Sequence, residues 1–309
     1  MAINRRSFIK HSAGLSTGLL ASTLESYATM PAVKTAAGFR LMIMATNWGF
    51  EGTTRQFCEK AKKAGYDGIE VWWNSDRKEQ QELFAVLREL NLEVGFLCGG
   101  WQTDFKEHLA TFTAAINEAT SNNYQKPVYI NCHSGKDHFS VEKNQQFIQF
   151  TTEKAKSTGI PILHETHRGR ILYSAPVALE YINRNPDLKL TLDISHWCNV
   201  HESLLADQAD TINTALERTE HIHTRVGHAE GPQVSDPRAP EWESAVKAHF
   251  NWWDKVVERK KRQGALMTML TEFGPPDYLW SLPYTRQPVA DQWAINVHMM
   301  QILRKRYQS

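Results

Sequence analysis

The stretch Lys189–His196, which reads KLTLDISH, is a short apolar run that ends in an acidic residue and a histidine. Three other runs in the second half of the chain have a similar form. They are Ile160–His164 followed by Glu165, His221–Arg225 with His223 inside it, and Ala265–Glu272 with Glu272 at its end. Short apolar runs bounded by turn residues are typical of strands buried in a parallel sheet. The sequence therefore predicts four such strands, each with a chemically capable side chain near its C-terminal end.

Apolar runs and segments of helical periodicity alternate along the whole chain after residue 38. The predicted strands are Phe39–Ala45, Gly68–Trp73, Glu93–Leu97, Val128–Cys132, Ile160–His164, Lys189–Asp193, His221–Arg225 and Ala265–Glu272. The predicted helices are Thr53–Ala64, Arg77–Leu90, Phe105–Ser121, Val141–Thr158, Ala175–Asn183, Ser203–Arg218, Trp242–Gln263 and Val289–Arg306. This alternation is typical of an α/β fold, a (β/α)8 TIM barrel in a single domain. An open doubly wound sheet is the alternative, but it usually carries a glycine-rich loop after its first strand, and residues 44–50 (MATNWGF) are not such a loop.

The first residues differ in composition from the rest of the chain. Residues 4–10 read NRRSFIK, residues 12–23 are mildly apolar and rich in small side chains, and residues 26–28 read SYA. This order resembles a twin-arginine export signal with a cleavage site after Ala28, and a basic amphipathic helix is the alternative. The resemblance predicts a periplasmic or otherwise exported protein with a signal peptide at 1–28, a linker at 29–37 and the barrel at 38–309.

The overall composition excludes some classes of partner. The chain has 35 basic and 34 acidic residues and a formal net charge of +1, so nothing favours binding to nucleic acid or to an anionic membrane. No run of about 18 apolar residues predicts a membrane span, so we expect no membrane association once the signal is removed. The four cysteines are widely spaced, and we expect them to be buried as small apolar side chains.

The predicted strand ends suggest a metal site. Catalytic groups of TIM barrels lie at the C-terminal ends of the strands, and neighbouring strands are about 4.8 Å apart. Glu165, Asp193, His223 and Glu272 can therefore converge, and the repulsion between three carboxylates favours a bound divalent cation. Oxygen-rich ligation with one imidazole suits Mn²⁺, Mg²⁺ or Co²⁺, with Mn²⁺ preferred and Zn²⁺ as a further option. His221 shares a strand face with His223 but lies farther from the catalytic end, so we interpret it as a hydrogen-bonded core histidine.

The order of these residues resembles the sugar isomerase/epimerase superfamily, the xylose-isomerase-like TIM barrels that include ketose 3-epimerases and hydroxypyruvate isomerase. Residues 64–73 (AGYDGIEVWW) also resemble the second strand of that family, with Glu70 in the usual place. The resemblance implies that Glu165 and Glu272 are both metal ligands and the catalytic acid and base, and that His196 contacts the substrate. It also implies that the protein could be a homo-oligomer, although no self-association motif is evident.

The sequence departs from the ketose epimerases at two places that concern the substrate. Residues 166–170 read THRGR, and Arg225 lies closer to His223 than the corresponding arginine of those enzymes. Further polar and aromatic side chains near strand ends are candidate substrate contacts. They are Glu70, Trp72, Trp101, His133, Arg168, Trp197 and Arg225, with Trp48, Trp73, His167, Arg170 and Trp280 nearby. Tryptophans pack on the apolar faces of sugar rings, or alternatively line the spaces between loops.

Two other features have more than one interpretation. His133 could meet the substrate or bind a second metal, as in the DNA-repair endonuclease branch of this fold, but that branch needs more ligands than the sequence offers. Residues 227–240 form the longest irregular segment and are interpreted as an active-site loop or lid.

These observations favour a metal-dependent isomerase or epimerase that acts on an unphosphorylated sugar or keto-sugar by proton transfer next to a carbonyl group. Two alternatives stay open. The same acid and base could serve a lyase or hydrolase of 3-keto-glycosides, or the barrel could bind metal and sugar without catalysis. We expect a small-molecule carbohydrate as the partner in each case.

Overall fold

The computed structural model describes residues 25–31 and 33–308, and the predicted export motif at residues 4–10 lies outside this part of the chain. Eight parallel strands form one closed barrel in the order in which they occur in the sequence. The last strand pairs with the first over Arg40–Ala45, which closes the sheet on itself. The prediction of a single-domain TIM barrel is therefore confirmed.

The strands are β1 Arg40–Thr46, β2 Gly68–Trp72, β3 Glu93–Gly99, β4 Ile130–His133, β5 Ile162–Glu165, β6 Leu190–Leu192, β7 Thr219–His223 and β8 Leu266–Thr271. The helices are α1 Thr54–Ala64, α2 Arg77–Leu90, α3 Phe105–Ser121, α4 Val141–Thr158, α5 Ala175–Arg184, α6 Ile194–Val200, α7 Ala209–Arg218, α8 Glu243–Gln263 and α9 Gln292–Tyr307. Short 3-10 helices occupy Ser26–Ala28, Ala206–Gln208 and Pro240–Trp242.

Helix caps explain why α2, α3 and α4 have the predicted bounds. Asp76 and Asp104 each accept hydrogen bonds from the first turn of the helix that follows, and Ser140 does the same for α4. Such side chains satisfy backbone N–H groups that have no partner within the helix. Gly159 ends α4 with a φ of 63°, a conformation that glycine adopts without steric cost.

One predicted helix bound near the site is wrong, and one short helix has no counterpart in the prediction. The helix predicted at Ser203–Arg218 is divided into the 3-10 turn Ala206–Gln208 and α7. The short helix α6 was not predicted, because its residues follow β6 without a glycine or proline. Asp193 begins α6, and its Oδ1 accepts a hydrogen bond from the Ser195 N–H at 3.1 Å. The backbone therefore turns into a helix directly after the acidic residue.

The core has two layers. The larger apolar cluster lies between the strands and the surrounding helices, and it includes the buried Cys58, Cys98, Cys132 and Cys198. A small separate cluster consists of Met44, Tyr129, Leu163 and Leu270. Because side chains alternate along a strand, Leu163 and Glu165 point to the same side of β5. This small cluster therefore fills the barrel axis below the acidic residues.

None of the helices in the described part of the chain is long and apolar enough to cross a bilayer.

The segment before β1 is attached to the barrel. Ala28 is buried, and the ring of Tyr27 is stacked on Phe250 of α8 with centroids 4.9 Å apart. Arg306 of α9 donates a hydrogen bond to the Tyr27 carbonyl at 2.7 Å and another to the Thr29 carbonyl. The predicted linker and cleavage site therefore include residues that pack against α8 and α9.

The segment predicted to be a lid is held by hydrogen bonds. The Gln233 side chain donates to the Gly274 carbonyl at 3.2 Å and accepts from the Gly274 N–H at 2.7 Å. The Val234 N–H donates to the Val226 carbonyl at 2.9 Å. None of residues 227–240, all of which the structure describes, lines the cavity at the C-terminal ends of the strands. The segment therefore differs from the expected active-site loop or lid, because hydrogen bonds attach it to the loop after β8.

Candidate metal and substrate site

A cavity of about 300 Å³ opens at the C-terminal ends of the strands, which is the catalytic end of a TIM barrel. Its lining combines acidic, imidazole and aromatic side chains. The lining residues are Thr46, Asn47, Trp48, Glu70, Val71, Trp72, Leu97, Trp101, His133, Glu165, His167, Arg225, Glu272 and Tyr278.

The four predicted metal ligands come together beside this cavity. Glu165 is the last residue of β5 and His223 is the last residue of β7, whereas Asp193 and Glu272 directly follow β6 and β8. Each residue offers one ligand atom, and these four atoms all lie within 4.8 Å of one another. The neighbouring positions of β5 to β8 in the barrel bring them together.

Glu165 is held by Asn131 and His133. Its Oε2 accepts a hydrogen bond from the Asn131 side-chain amide at 2.7 Å and lies 3.0 Å from His133 Nε2. Burial alone would raise the pKa of Glu165, but the nearby His133 and His223 lower it well below its usual value. Glu165 is therefore a carboxylate at neutral pH, which is the form that accepts a proton or binds a cation.

His223 is surrounded by carboxylates. Its Nδ1 lies 2.9 Å from Glu272 Oε2 and 3.8 Å from Glu165 Oε1, and its Nε2 lies 3.4 Å from Glu70 Oε1. Burial alone would lower the pKa of His223, but the carboxylates, chiefly Glu272 and Glu165, raise it well above its usual value. The negative potential at this place is therefore strong.

Asp193 has an internal cationic partner. Arg225, which is also buried, forms an ion pair with Asp193 Oδ2, and its Nη2 lies 3.6 Å from Glu272 Oε2. Burial raises the pKa of Asp193 to about 6 despite the guanidinium beside it. The nearby Glu272 and Glu165 carboxylates also raise this pKa, to a lesser extent than burial.

The residues fit a divalent cation. Three buried or nearly buried carboxylates share one imidazole and one guanidinium, which leaves excess negative charge in a poorly hydrated place. Carboxylate oxygens with one imidazole nitrogen are a suitable donor set for Mn²⁺ or a similar cation. The same end of the barrel contains two further groups with the residue types and spacing of metal ligands, His133–Glu165–His167 and Glu70–His221–His223.

His221 lies deeper in the barrel than His223. Its Nδ1 lies 3.0 Å from the Thr268 carbonyl and 2.8 Å from the Thr268 hydroxyl. His223, not His221, belongs to the group with Glu165, Asp193 and Glu272. This placement agrees with the interpretation of His221 as a hydrogen-bonded core histidine.

The predicted substrate residues divide into two sets. Glu70, Trp72, Trp101, His133 and Arg225 line the cavity. His196 and Arg168 do not.

His196 is fully buried, with its ring centroid 3.9 Å from that of His167 and its Nε2 2.9 Å from Arg225 Nη2. Arg168 donates a hydrogen bond to Asn199 at 2.9 Å and lies over the Tyr278 ring. These two residues therefore support lining residues and do not face the cavity.

The interpretation of Trp197 as a substrate contact needs correction. Trp197 is fully buried, and its indole N–H donates a hydrogen bond to the Leu172 carbonyl at 2.8 Å. The reason is α6, whose first turns carry Trp197 away from the cavity and into the core. Trp280 is exposed but lies beside Trp242 and His228, outside the cavity.

Some residues of the site were missed in the sequence. Asn131 binds Glu165, and its signal was a polar residue inside the apolar run of β4. Tyr278 lines the cavity and lies under the Arg225 guanidinium at 4.8 Å. It lies in the loop after β8, where no local pattern distinguishes it.

Comparisons with known proteins agree with this architecture. The family of xylose isomerase-like TIM barrels matches residues 58–231. No curated protein sequence matches the chain.

Solved structures share the fold at low sequence identity. A 3-keto-D-glucoside 4-epimerase from E. coli is 16% identical with a TM-score of 0.59, over 86% of this chain and 99% of that one. A D-tagatose 3-epimerase-like protein is 14% identical with a TM-score of 0.56, over 85% of this chain and 97% of that one. A probable 3-DHS dehydratase from Bacillus anthracis is 17% identical with a TM-score of 0.55, over 85% and 98%.

At these identities the solved structures show the fold alone. The family match is stronger, because it extends over more than half of the chain and includes β2 to β7 with three of the four converging residues. The closed barrel and the family match lead to one conclusion: the chain belongs to the xylose isomerase-like TIM barrel family.

Proposed function

We propose that this protein is an exported, divalent-metal-dependent isomerase or epimerase of an unphosphorylated sugar or keto-sugar. The supporting observation is the convergence of Glu165, Asp193, His223 and Glu272, with ligand atoms within 4.8 Å of one another beside a cavity. A bound cation would polarise the substrate carbonyl and acidify the neighbouring C–H bond. Mn²⁺ is the cation that we favour for this donor set.

Glu165 and Glu272 are the two carboxylates that would act as base and acid in this proton transfer, and both lie near His223 Nδ1. Glu165 is ionised and is held by Asn131, so it can accept the proton from the carbon next to the carbonyl. Glu272, which lies 2.9 Å from the same His223 Nδ1 atom, can return a proton. Return to the opposite face gives an epimer, and return to the carbonyl carbon with a matching shift of the hydroxyl proton gives an isomer.

Arg225 can stabilise the negative charge that develops on the carbonyl oxygen. Its guanidinium lines the cavity, is buried, and is positioned by Asp193 and by the ring of Tyr278. The charge of an arginine is permanent, and its effect is stronger where water is excluded. Arg225 is therefore suited to act on the oxygen while Glu165 acts on the carbon.

Indole rings at the rim support a sugar as the substrate. Trp72 and Trp101 are 39% and 62% exposed, and their ring centroids are 5.3 Å apart. Such exposed rings at a cavity mouth can pack on the C–H faces of a sugar. Among the lining residues, all of which the structure describes, Arg225 is the only lysine or arginine, and it is paired with Asp193. The cavity therefore offers no unpaired lysine or arginine to a phosphate group.

Proton exchange is the direct test. Purified protein with Mn²⁺ would be incubated in D₂O with free ketoses, keto-sugars and their phosphate esters, and deuterium next to the carbonyl would be followed by NMR. We expect incorporation into unphosphorylated substrates. Glu165→Gln and Glu272→Gln should each lower the rate by about 10²- to 10⁴-fold. Glu82→Gln, a change at an exposed position of α2, is the matched control and should have no effect.

Two results would reject the proposal or part of it. Exchange with phosphate esters alone would exclude the unphosphorylated substrate. No exchange with any keto-sugar, together with measurable sugar binding, would favour a barrel that binds without catalysis.

A second cavity favours the alternative of a lyase or hydrolase. This cavity, of about 450 Å³, adjoins the first one, and both are lined by Asn47, Val71 and Trp72. It offers room for the group attached to a 3-keto-sugar. Removal of the proton beside the ketone would let its electrons expel the glycosidic oxygen, which leaves as an alcohol after taking a proton. Release of the free alcohol and an unsaturated or hydrated sugar, in the same assay, would identify this reaction.

Export is a separate part of the proposal, supported by the NRRSFIK sequence at residues 4–10. Replacing Arg5 and Arg6 together by lysine should retain the protein in the cytoplasm of a bacterial host, as measured by cell fractionation. An unchanged distribution would reject a twin-arginine signal.

A further inference from the structure

A buried carboxylate joins β2 to β7 across the barrel interior. Glu70 lies on β2 and is only 3% exposed. Its two oxygens face the two histidines of β7, with Oε1 3.4 Å from His223 Nε2 and Oε2 3.5 Å from His221 Nε2. The strands β2 and β7 are not neighbours in the sheet, so the contact is made through the interior and not along the barrel wall.

The hydrogen-bonding requirements of Glu70 determine how the histidines are oriented. A buried carboxylate accepts hydrogen bonds only, and one left without donors is costly. The Nε2 atoms of His221 and His223 face it at 3.5 and 3.4 Å, and neither Glu70 Oε2 nor His221 Nε2 has a hydrogen-bond partner in the described part of the chain. A hydrogen on the Nε2 atom of either imidazole would give Glu70 a donor.

The other contacts of these rings include both donors and acceptors. His221 Nδ1 lies 2.8 Å from the Thr268 hydroxyl, which can donate to it, and 3.0 Å from the Thr268 carbonyl, which can only accept. Tyr129 is stacked on His221 with centroids 4.1 Å apart and fixes the plane of that ring. Asn131 lies 3.2 Å from His223 Nε2, but its shorter bond, at 2.7 Å, is donated to Glu165.

We propose that Glu70 is a positioning residue that keeps the N–H of His223 on Nε2 and thereby turns the lone pair of Nδ1 toward the ligand group. His223 Nδ1 is the atom that faces Glu272 and Glu165. A histidine that binds a metal through one nitrogen commonly donates its other N–H to a carboxylate, which fixes the tautomer and the ring orientation. This inference rests on the proposed metal site and assigns Glu70 to His223 instead of to the substrate.

Metal affinity tests the role without reference to activity. Mn²⁺ would be titrated by calorimetry into metal-stripped wild-type protein and into Glu70→Gln and Glu70→Ala. We expect Glu70→Ala to weaken Mn²⁺ binding by about 10- to 100-fold, in the range found for such partners of metal-binding histidines. Glu70→Gln, which keeps the shape and one acceptor oxygen, should have a Kd for Mn²⁺ between those of wild type and Glu70→Ala. It provides the test if the alanine variant does not fold.

A control separates positioning from general loss of stability. Asp254 accepts hydrogen bonds from Arg306 and from Tyr307 and is remote from the cavity. Asp254→Asn should lower the melting temperature and leave the Kd for Mn²⁺ unchanged. Wild-type affinity in Glu70→Ala, or an equal loss in Asp254→Asn, would overturn the inference.

The tautomer itself gives a second readout. NMR spectra of protein labelled with ¹⁵N-histidine and loaded with diamagnetic Zn²⁺ or Mg²⁺ should show His223 with its hydrogen on Nε2. The spectrum of Glu70→Ala should no longer show this tautomer alone. A wild-type protein that binds Mn²⁺ but exchanges no substrate proton would reject the proposed function alone. A wild-type protein that binds no metal would reject both proposals.

Discussion

Replacing Arg225 by methionine tests whether a cation and this guanidinium compensate the same carboxylates. Arg225 is buried, is paired with Asp193, and has its Nη2 3.6 Å from Glu272 Oε2 and 2.9 Å from His196 Nε2. Methionine retains an apolar stem of similar length, so the main loss is the positive charge. In metal-free protein the variant leaves two buried carboxylates without their guanidinium.

The expected magnitude follows from this burial. Removing one partner of a buried ion pair costs about 3–5 kcal/mol. For a chain of this size, about 2–4 °C of melting temperature corresponds to each kcal/mol, so the decrease in chelator should be roughly 6–20 °C. A cation at about 100 times its Kd stabilises the folded state by about 2.7 kcal/mol. Because more negative charge is left uncompensated in the variant, Mn²⁺ should raise its melting temperature more than that of the wild type.

Thermal unfolding followed by circular dichroism, in EDTA and in Mn²⁺, measures both effects. Arg306→Met is the matched control, because Arg306 is also largely buried and paired, with Asp254, but lies away from the cavity. Arg306→Met should have a lower melting temperature than wild type, and Mn²⁺ should raise that temperature no more than it does in wild type. A change of less than about 2 °C for Arg225→Met in EDTA, or equal Mn²⁺ shifts in all three proteins, would refute the reasoning, since each kcal/mol corresponds to at least that shift.

Three further predictions concern the rim, the core and pH. Trp101→Ala should raise the KM for a sugar substrate with little change in melting temperature, because the ring is 62% exposed at the cavity; an unchanged KM would exclude stacking on the substrate. Trp197→Ala should lower the free energy of unfolding, measured in urea, by about 3–5 kcal/mol, as expected for a buried aromatic side chain. An unchanged free energy of unfolding would contradict its place in the core. Burial lowers the pKa of His164 from 6.5 to about 3, so protonation is opposed in the folded state and stability is lost as pH falls below about 6.5. At pH 5 the loss in the free energy of unfolding is about 2 kcal/mol, from 1.5 pH units at about 1.4 kcal/mol each. His164→Gln should therefore lose less stability than wild type between pH 7 and pH 5. Parallel curves of stability against pH for the two proteins would contradict this prediction.

The fold could be predicted because the local signals agree. Capping residues such as Asp76 and Asp104 begin helices at the positions where the helical periodicity also begins. The apolar runs lie in the strands because a parallel barrel buries both faces of its sheet. Where the strand is only three residues long, as in β6, the run extends beyond it and the boundary was misplaced.

The candidate ligand group could be predicted for a related reason. Strand order places the ends of β5 to β8 side by side, so position along the sequence was enough to bring Glu165 and Glu272 near His223. Directions of side chains within helices and across the barrel were harder to foresee. Trp197 points into the core because Asp193 caps a helix, and no glycine or proline in the sequence marks where this helix begins.

Glu70 is a further example of this limit. Its contact with His223 is made across the barrel interior, between strands that do not pair. Strand periodicity can place such a residue on the inner face, but it does not show which opposite side chain it meets.

The docked segment around Tyr27 has a consequence for the proposed cleavage of the export signal. A signal peptidase that cuts after Ala28 needs an extended, accessible chain, whereas this alanine is 2% exposed and the carbonyls on both sides of it are held by Arg306. A protein that crosses the membrane already folded would have to release this segment before that cut. Cleavage after Ala28 would then be limited by the fraction of molecules in which the segment is detached, and it would remove the Tyr27 ring from Phe250 permanently.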